Sequence, residues 1–219
     1  MPLPRAPVFE LLPWTARERA AFARLGHPHR IQDFLDAVAY SADPIYRSPR
    51  AVLRDKKAHC YDGALFAAAA LWRLGHPPLL VDLRAARDDD HVLAVFRRGR
   101  LWGAVAKSNF VGLRFREPIH RSLRELALSY FEDYYNLEGM KSLRSYSPPL
   151  DLRRIDPHGW ATGDGALDAI AARLDRLRHR RLLSAAAEAA LRPIDPRTYE
   201  AGMLGAVQEG LYQPGGHKG

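Results

Sequence analysis

A single cysteine, Cys60, stands where a basic approach, Lys56-Lys57-Ala58-His59, runs into a long apolar segment. The nucleophile in cysteine chemistry is the thiolate, so a catalytic cysteine needs surroundings that lower its pKa. The first turn of a helix does this, because its unpaired N–H groups and its dipole favour an anion. Cys60 holds that place at the head of a helix predicted over 61–74, and the cations before it add positive potential. The second requirement is an imidazole to carry the proton, and the third is a polar group to orient it. His91 opens a predicted strand, and Lys107-Ser108-Asn109 follows the next one. His91 is therefore the candidate base, with Asn109 or Ser108 as candidate orienter. The competing reading of Cys60 is an inert core thiol, since cysteine is among the most buried residue types.

The elements that would position these groups follow from pattern. Residues 1–13 are proline-rich and predict an extended arm. Thr15 with Glu18 three positions on is a capping-box signature for a helix closed at Gly26. A second helix is expected over 31–40, with Ile31, Phe34, Leu35 and Val38 on one face. Asp43-Pro44 and Ser48-Pro49 predict a loop that runs on through Val52 and Leu53. The Cys60 helix is apolar nearly all round, so it should be buried, and Gly75-His76-Pro77-Pro78 ends it. Short strands are expected at 79–83, 91–96 and 101–106, with a further one over 111–115. A two-residue turn at Arg98-Gly99 would pair His91 with Ala106 and set Ser108 on the His91 face. Beyond 116 the pattern is helix-rich, over 122–135, over a long amphipathic stretch 166–191, and over a last short helix within 199–210, with 143–152 expected to be extended and broken at Pro148-Pro149. Tyr130, Phe131, Tyr134 and Tyr135 have the i, i+3, i+4 spacing of a helix face that either packs or walls a substrate groove. Strands and helices are segregated, an α+β arrangement. A single domain over 1–219 is expected, with its core at about 31–116 and a helical extension over 117–219.

Composition narrows the function classes. The chain has 219 residues, 47% of them hydrophobic and 26% charged, with a mean hydropathy of −0.31, as in an ordinary globular protein. One cysteine excludes a disulfide scaffold and a multi-thiolate zinc site. No stretch approaches the roughly 20 apolar residues of a membrane span, and the N-terminus reads as no secretory signal, so a cytoplasmic protein without a membrane partner is expected. Thirty-three Lys and Arg against 25 Asp and Glu give +8. The arginines are dispersed along the chain and no nucleic-acid motif accompanies them, which argues against a nucleic-acid partner. His27-Pro28-His29 lacks a third metal ligand, and the side chains of Asp88-Asp89-Asp90 diverge in an extended segment.

Two ordered blocks carry a resemblance. His59-Cys60-Tyr61-Asp62-Gly63-Ala64 leads through an Ala/Leu-rich helix to Leu74-Gly75-His76-Pro77 and the strand Leu79-Leu80-Val81. His91-Val92-Leu93-Ala94-Val95-Phe96 is then followed by Arg98-Gly99 and Leu101-Trp102. Over about 31–109 this resembles the transglutaminase-like superfamily of papain-type cysteine enzymes. The resemblance implies a buried Cys-bearing helix packed on a small antiparallel sheet. It also implies acyl transfer from a peptide or other amide substrate through a thioester on Cys60, with His91 moving the proton and no metal or organic cofactor. The oxyanion would lie on the Cys60 N–H and a side-chain donor, Gln32 or Tyr46. The family's aspartate four residues after the tryptophan is replaced by Ala106, so Asn109, with Ser108 behind it, takes the orienting role. That replacement also motivates the alternative, a catalytically silent member of the fold used as a binding or scaffold module.

Overall fold

Twelve consecutive residues, Tyr61 to Trp72, are buried, and a helix buried on every side needs partners on every side. The computed structural model, which describes residues 7–212, supplies them. The chain opens with α1 (Pro7–Leu11), α2 (Ala16–Ala23) and α3 (Pro28–Ala37). Short strand β1 (Ala39–Tyr40), helix α4 (Pro49–Asp55) and β2 (Lys57–Ala58) lead into α5 (Cys60–Arg73). Strands β3 (Leu79–Ala85), β4 (His91–Arg98), β5 (Leu101–Val105) and β6 (Arg116–His120) follow, then α6 (Leu123–Leu128), β7 (Leu143–Tyr146) and β8 (Leu150–Asp151). The C-terminal part adds α7 (Pro157–Trp160), α8 (Leu167–Asp175), β9 (Arg180–Arg181), α9 (Ala185–Ala189) and α10 (Pro196–Gly202).

The main sheet runs β6-β5-β4-β3-β7-β9, with β8 also on β3, and every pair in it is antiparallel. Strand alternation divides its residues between two cores. Leu80, Val92, Ala94, Phe96 and Val105 pack with α5, whose other sides meet Phe22, Ile31, Leu35 and Val52. Val81, Leu83, Leu93, Val95 and Ala104 form the reverse face, covered by Leu126, Ala127, Tyr130 and Tyr134. The result is α+β, with a mostly antiparallel sheet and a buried helix against it. Among the described residues no helix is long and apolar enough to cross a membrane.

Several expectations are corrected. Part of the N-terminal arm is helical, α1, while residues 1–6 lie outside the described residues. The segment through Val52 and Leu53 is helix α4, because Ser48 caps it by accepting from Ala51 N and Pro49 sits in the first turn, where its missing N–H costs nothing. The second helix ends at Ala37, and Ala39 and Tyr40 leave as a strand paired to Lys57 and Ala58. Residues 111–113 form a 3-10 turn, and the strand lies at 116–120 instead. The helix expected over 122–135 stops at Leu128, and the one over 166–191 is broken around Arg180–Arg181. The extension beyond 116 is not simply helical: β7 and β8 lie in the stretch expected to be extended, and β9, in a stretch expected to be helical, completes the sheet. The hairpin turn is Gly99-Arg100, with Arg98 opposite Leu101, so the β4–β5 register is displaced by two residues. Extended past Ala94↔Val105, it sets Ser108 rather than Ala106 across from His91.

Candidate active site

Cys60 is the first residue of α5. His59 caps the helix: its Nδ1 accepts from the Tyr61 and Asp62 amides, while Asp62 accepts back from His59 N. Among the described residues, the Cys60 N–H is the first-turn donor that this cap leaves over. The sulfur lies against the backbone on both sides of His91, with Sγ 3.9 Å from the Asp90 carbonyl and a hydrogen bond from the Val92 N–H. Burial pushes the thiol up to about 12, which the Val92 N–H opposes and the carboxylates of Asp89, Asp62 and Asp82 reinforce. The helix-start field is therefore outweighed, and the resting group is a thiol rather than a thiolate.

His91 is 4% exposed and its Nε2 lies 2.8 Å from the Leu113 carbonyl. A carbonyl only accepts, so Nε2 carries the hydrogen and a neutral ring leaves Nδ1 as its basic nitrogen. The ring shares a strand face with Leu93 and Val95 and meets Tyr130 and Tyr134 edge-on, whereas α5 packs on Val92, Ala94 and Phe96. Among the described residues no hydrogen bond joins Cys60 to His91. Burial lowers the imidazole from 6.5 to about 4, with the Leu113 carbonyl opposing. Because the folded value lies below the unfolded one, the neutral ring contributes stability above pH 6.5 that is lost as pH falls toward 4. His91→Asn removes that titration. The gap in unfolding free energy between wild type and variant should therefore narrow by about 3 kcal/mol from pH 7 to pH 4, as read by urea melts. A gap independent of pH would contradict the buried neutral imidazole.

The other expected partners are engaged elsewhere. Asn109 does not reach His91: its Nδ2 donates to the Val207 carbonyl (2.9 Å) and its Oδ1 accepts from Val207 N (2.8 Å). Ser108 Oγ accepts from Phe110 N at 3.0 Å, closing a local turn. The orienting group of the imidazole is instead a main-chain carbonyl, which no side-chain pattern announces. Gln32 is not poised for an oxyanion, because its amide grips Ala106 at both ends, accepting from N (3.1 Å) and donating to O (2.9 Å). Lys107 Nζ donates to the Leu35 carbonyl at 2.8 Å and also to that of Val38, closing the end of α3. The Tyr46 ring is edge-on to His59 at 5.6 Å and to Tyr61 at 4.8 Å, the residues on either side of Cys60.

Two buried polar groups near the thiol escaped the sequence reading. Asp82 on β3 lies opposite Val92 and holds His179, Oδ2 to Nε2 at 2.8 Å, while His179 Nδ1 meets the Leu177 carbonyl at 2.8 Å. Both ring nitrogens are thus occupied, and the pair fastens the break between α8 and β9 to the sheet. Asp82 sits inside an apolar strand pattern, which was the available signal. Beneath the α5 cap, fully buried Asp62 also accepts from Arg47 N at 2.7 Å, and the Arg47 guanidinium reaches Asp43, Asp55 and Ser41. Burial raises the Asp62 carboxyl from 3.8 to about 7.

No protein-family model matches the chain, and no curated protein matches it. Among solved structures, Legionella pneumophila LapG aligns at 18% identity with a TM-score of 0.34, covering 49% of this chain and 74% of that one. A likeness at that score carries no argument about chemistry, which rests on the residues themselves.

Proposed function

We propose that the chain is a cysteine-dependent acyl-transfer enzyme acting on an amide or peptide bond, with Cys60 as nucleophile and His91 as proton carrier. The supporting observation is the seat of the sulfur: it stands at the first residue of α5, against the main chain flanking a histidine whose Nε2–H is oriented by a carbonyl. Nδ1 of that ring is the nitrogen left to take the thiol proton. Attack of sulfur on the substrate carbonyl forms the C–S bond, and the proton passes through the imidazole to the departing amine as the C–N bond breaks. Water or a second amine then cleaves the thioester. The Cys60 N–H is the donor offered to the oxyanion, with Tyr46, whose ring meets His59 and Tyr61, as the candidate second donor. With the thiol raised and the imidazole lowered, both partners are neutral in the arrangement described.

A second reading, a silent module of the same architecture, is favoured by one observation: the His91 ring shares its face with Leu93 and Val95 rather than with the residues under α5. Acyl transfer from an unfolded protein substrate to water or hydroxylamine separates the two. The enzyme reading expects Cys60→Ala to lose about a thousandfold or more in kcat/KM. Turnover undiminished in Cys60→Ala, or none in the wild type, would falsify it.

A further inference from the structure

Tyr130 and Tyr134, both buried, stand at the two ends of a 3-10 turn, Phe131–Asp133, on the reverse face of the sheet. Their rings meet the His91 ring edge-on, Tyr130 at 6.5 Å and Tyr134 at 6.4 Å between centroids. Their hydroxyls diverge. The Tyr134 hydroxyl donates to the Asp89 carbonyl at 2.6 Å, and the next carbonyl along the chain, that of Asp90, is the one 3.9 Å from Cys60 Sγ. The Tyr130 hydroxyl donates to the Arg114 carbonyl at 2.7 Å, and the preceding carbonyl, that of Leu113, is the one that holds His91 Nε2. Each phenol therefore pins the residue beside a main-chain group that touches one of the two candidate reactants.

Apolar packing alone does not require this arrangement, since phenylalanine would cover the same face without either hydroxyl. Burial holds both phenols above their ordinary value, so the hydroxyls stay protonated and remain donors. The turn that carries them is fastened to the segment it serves. The Arg116 guanidinium lies 4.0 Å over the Tyr130 ring and donates to the Gly112 carbonyl at 2.8 Å, to Ser129 Oγ at 3.1 Å and to Asp133 at 3.1 Å. Gly112 meets Asp133 so closely that a Cβ there would overlap its side chain. On the thiol side, Ser142 Oγ donates to the Asp88 carboxylate and Ala85 N to Asp90 Oδ1. The Asp88-Asp89-Asp90 segment is thus tied at both ends as well as in its middle by Tyr134.

We propose that Tyr130 and Tyr134 are paired positioning residues of the Cys60 and His91 site. Tyr134 sets the main chain that lies against the sulfur, and Tyr130 sets the carbonyl that orients the imidazole. The inference rests on the acyl-transfer reading for its effect on rate, whereas the placement itself is measurable without turnover. A displaced sulfur or a rotated ring slows a reaction even though neither tyrosine touches the reacting atoms.

Tyr134→Phe and Tyr130→Phe, made singly in the full-length protein, keep both rings and remove one hydroxyl each. In Tyr134→Phe the Asp89 and Asp90 main chain is released from the sulfur, water gains the thiol, and the effect of burial on it is relieved. Iodoacetamide should then alkylate Cys60 about tenfold faster than in wild type at pH 7.5, as followed by mass spectrometry. The ring-nitrogen NMR shifts of His91, assigned by their loss in His91→Asn, should stay as in wild type. Tyr130→Phe should do the reverse. Its alkylation rate should match wild type within about twofold. Its two His91 ring-nitrogen shifts, well separated for a pure Nε2–H tautomer, should converge as the Nδ1–H form enters. Each variant decides alone if the other fails to fold, since each is expected to move one readout and spare the other. In an active protein both variants should lose about ten- to a hundredfold in kcat with KM unchanged. Both readouts moving together in either folded variant, neither moving, or kcat undiminished in an active protein overturns the proposal. Split readouts in a protein without acyl transfer support the placement and remove only the enzyme reading.

Discussion

Iodoacetamide will modify Cys60 of the wild-type protein about a hundredfold more slowly than free cysteine at pH 7.5. The rate follows the thiolate fraction, and a thiol at about 12 instead of an ordinary 8.5 has about three thousand times less thiolate at that pH. A more basic thiolate is intrinsically more nucleophilic, which returns about one and a half powers of ten. The sharper signature lies in the pH profile. A free thiol levels off above its pKa, whereas Cys60 should keep gaining about tenfold per pH unit beyond pH 9. With one cysteine in the chain, the whole signal belongs to this sulfur. A plateau already reached near pH 7 would mean a preformed thiolate–imidazolium pair, and the resting state described above would be wrong. The physical contest is between the helix-start field, worth about 0.3–1 kcal/mol at an exposed site, and desolvation of an anion, worth several units of pKa. At Cys60 desolvation wins, helped by Asp62, Asp82 and Asp89.

The sequence made the elements around the thiol readable because each announces itself locally. Thr15 and Glu18 form the capping box they promise, the α5 run is buried as its all-round apolarity requires, and Leu79, His91 and Leu101 each begin a strand of the hairpin sheet. What stayed hidden depends on partners distant in the chain. His179 looks like one more polar residue in a helical stretch until Asp82, 97 positions away, takes its ring and breaks the helix. Asn109 and Gln32 have suitable chemistry for the roles assigned to them, but Val207 and Ala106 compete for the same amides and hold them. The orienter of His91 is the Leu113 carbonyl, a group that every residue carries and that no residue type can signal. The two-residue shift of the hairpin came from a turn one residue later than the Arg-Gly pair suggested. Residue types therefore placed Cys60 at a helix start and His91 at a strand start, whereas the hydrogen-bond assignments needed the fold.

Replacing Arg47 with methionine should cost about 3–5 kcal/mol of unfolding free energy at pH 8, the largest stability loss expected of any single change near the site. Arg47 is 6% exposed and is the cation shared by Asp43, Asp55 and Asp62 under the α5 cap. Methionine fills much of the stem's volume but leaves those carboxylates without their guanidinium, and Asp62 has no water to turn to. The loss should depend on pH in a definite direction. Asp62 has a folded value of about 7 against 3.8 when unfolded, so as pH rises through that window the protein must bury a charge and loses stability. Below the window Asp62 is protonated and needs no cation, so the Arg47→Met deficit should be clearly smaller at pH 5 than at pH 8. Asp43 and Asp55 retain partners in Lys57 and Arg54, so they contribute little to this difference. Urea melts of wild type and variant at the two pH values provide the measurement. An equal deficit at both would place the cost in packing rather than in the buried carboxyl. If the deficit follows Asp62, the α5 cap is its route to the thiol, since Asp62 also accepts from His59 N, immediately before Cys60. Asp62→Asn in the Arg47→Met background should then recover part of the lost stability at pH 8, because the amide retains an acceptor oxygen and carries no charge.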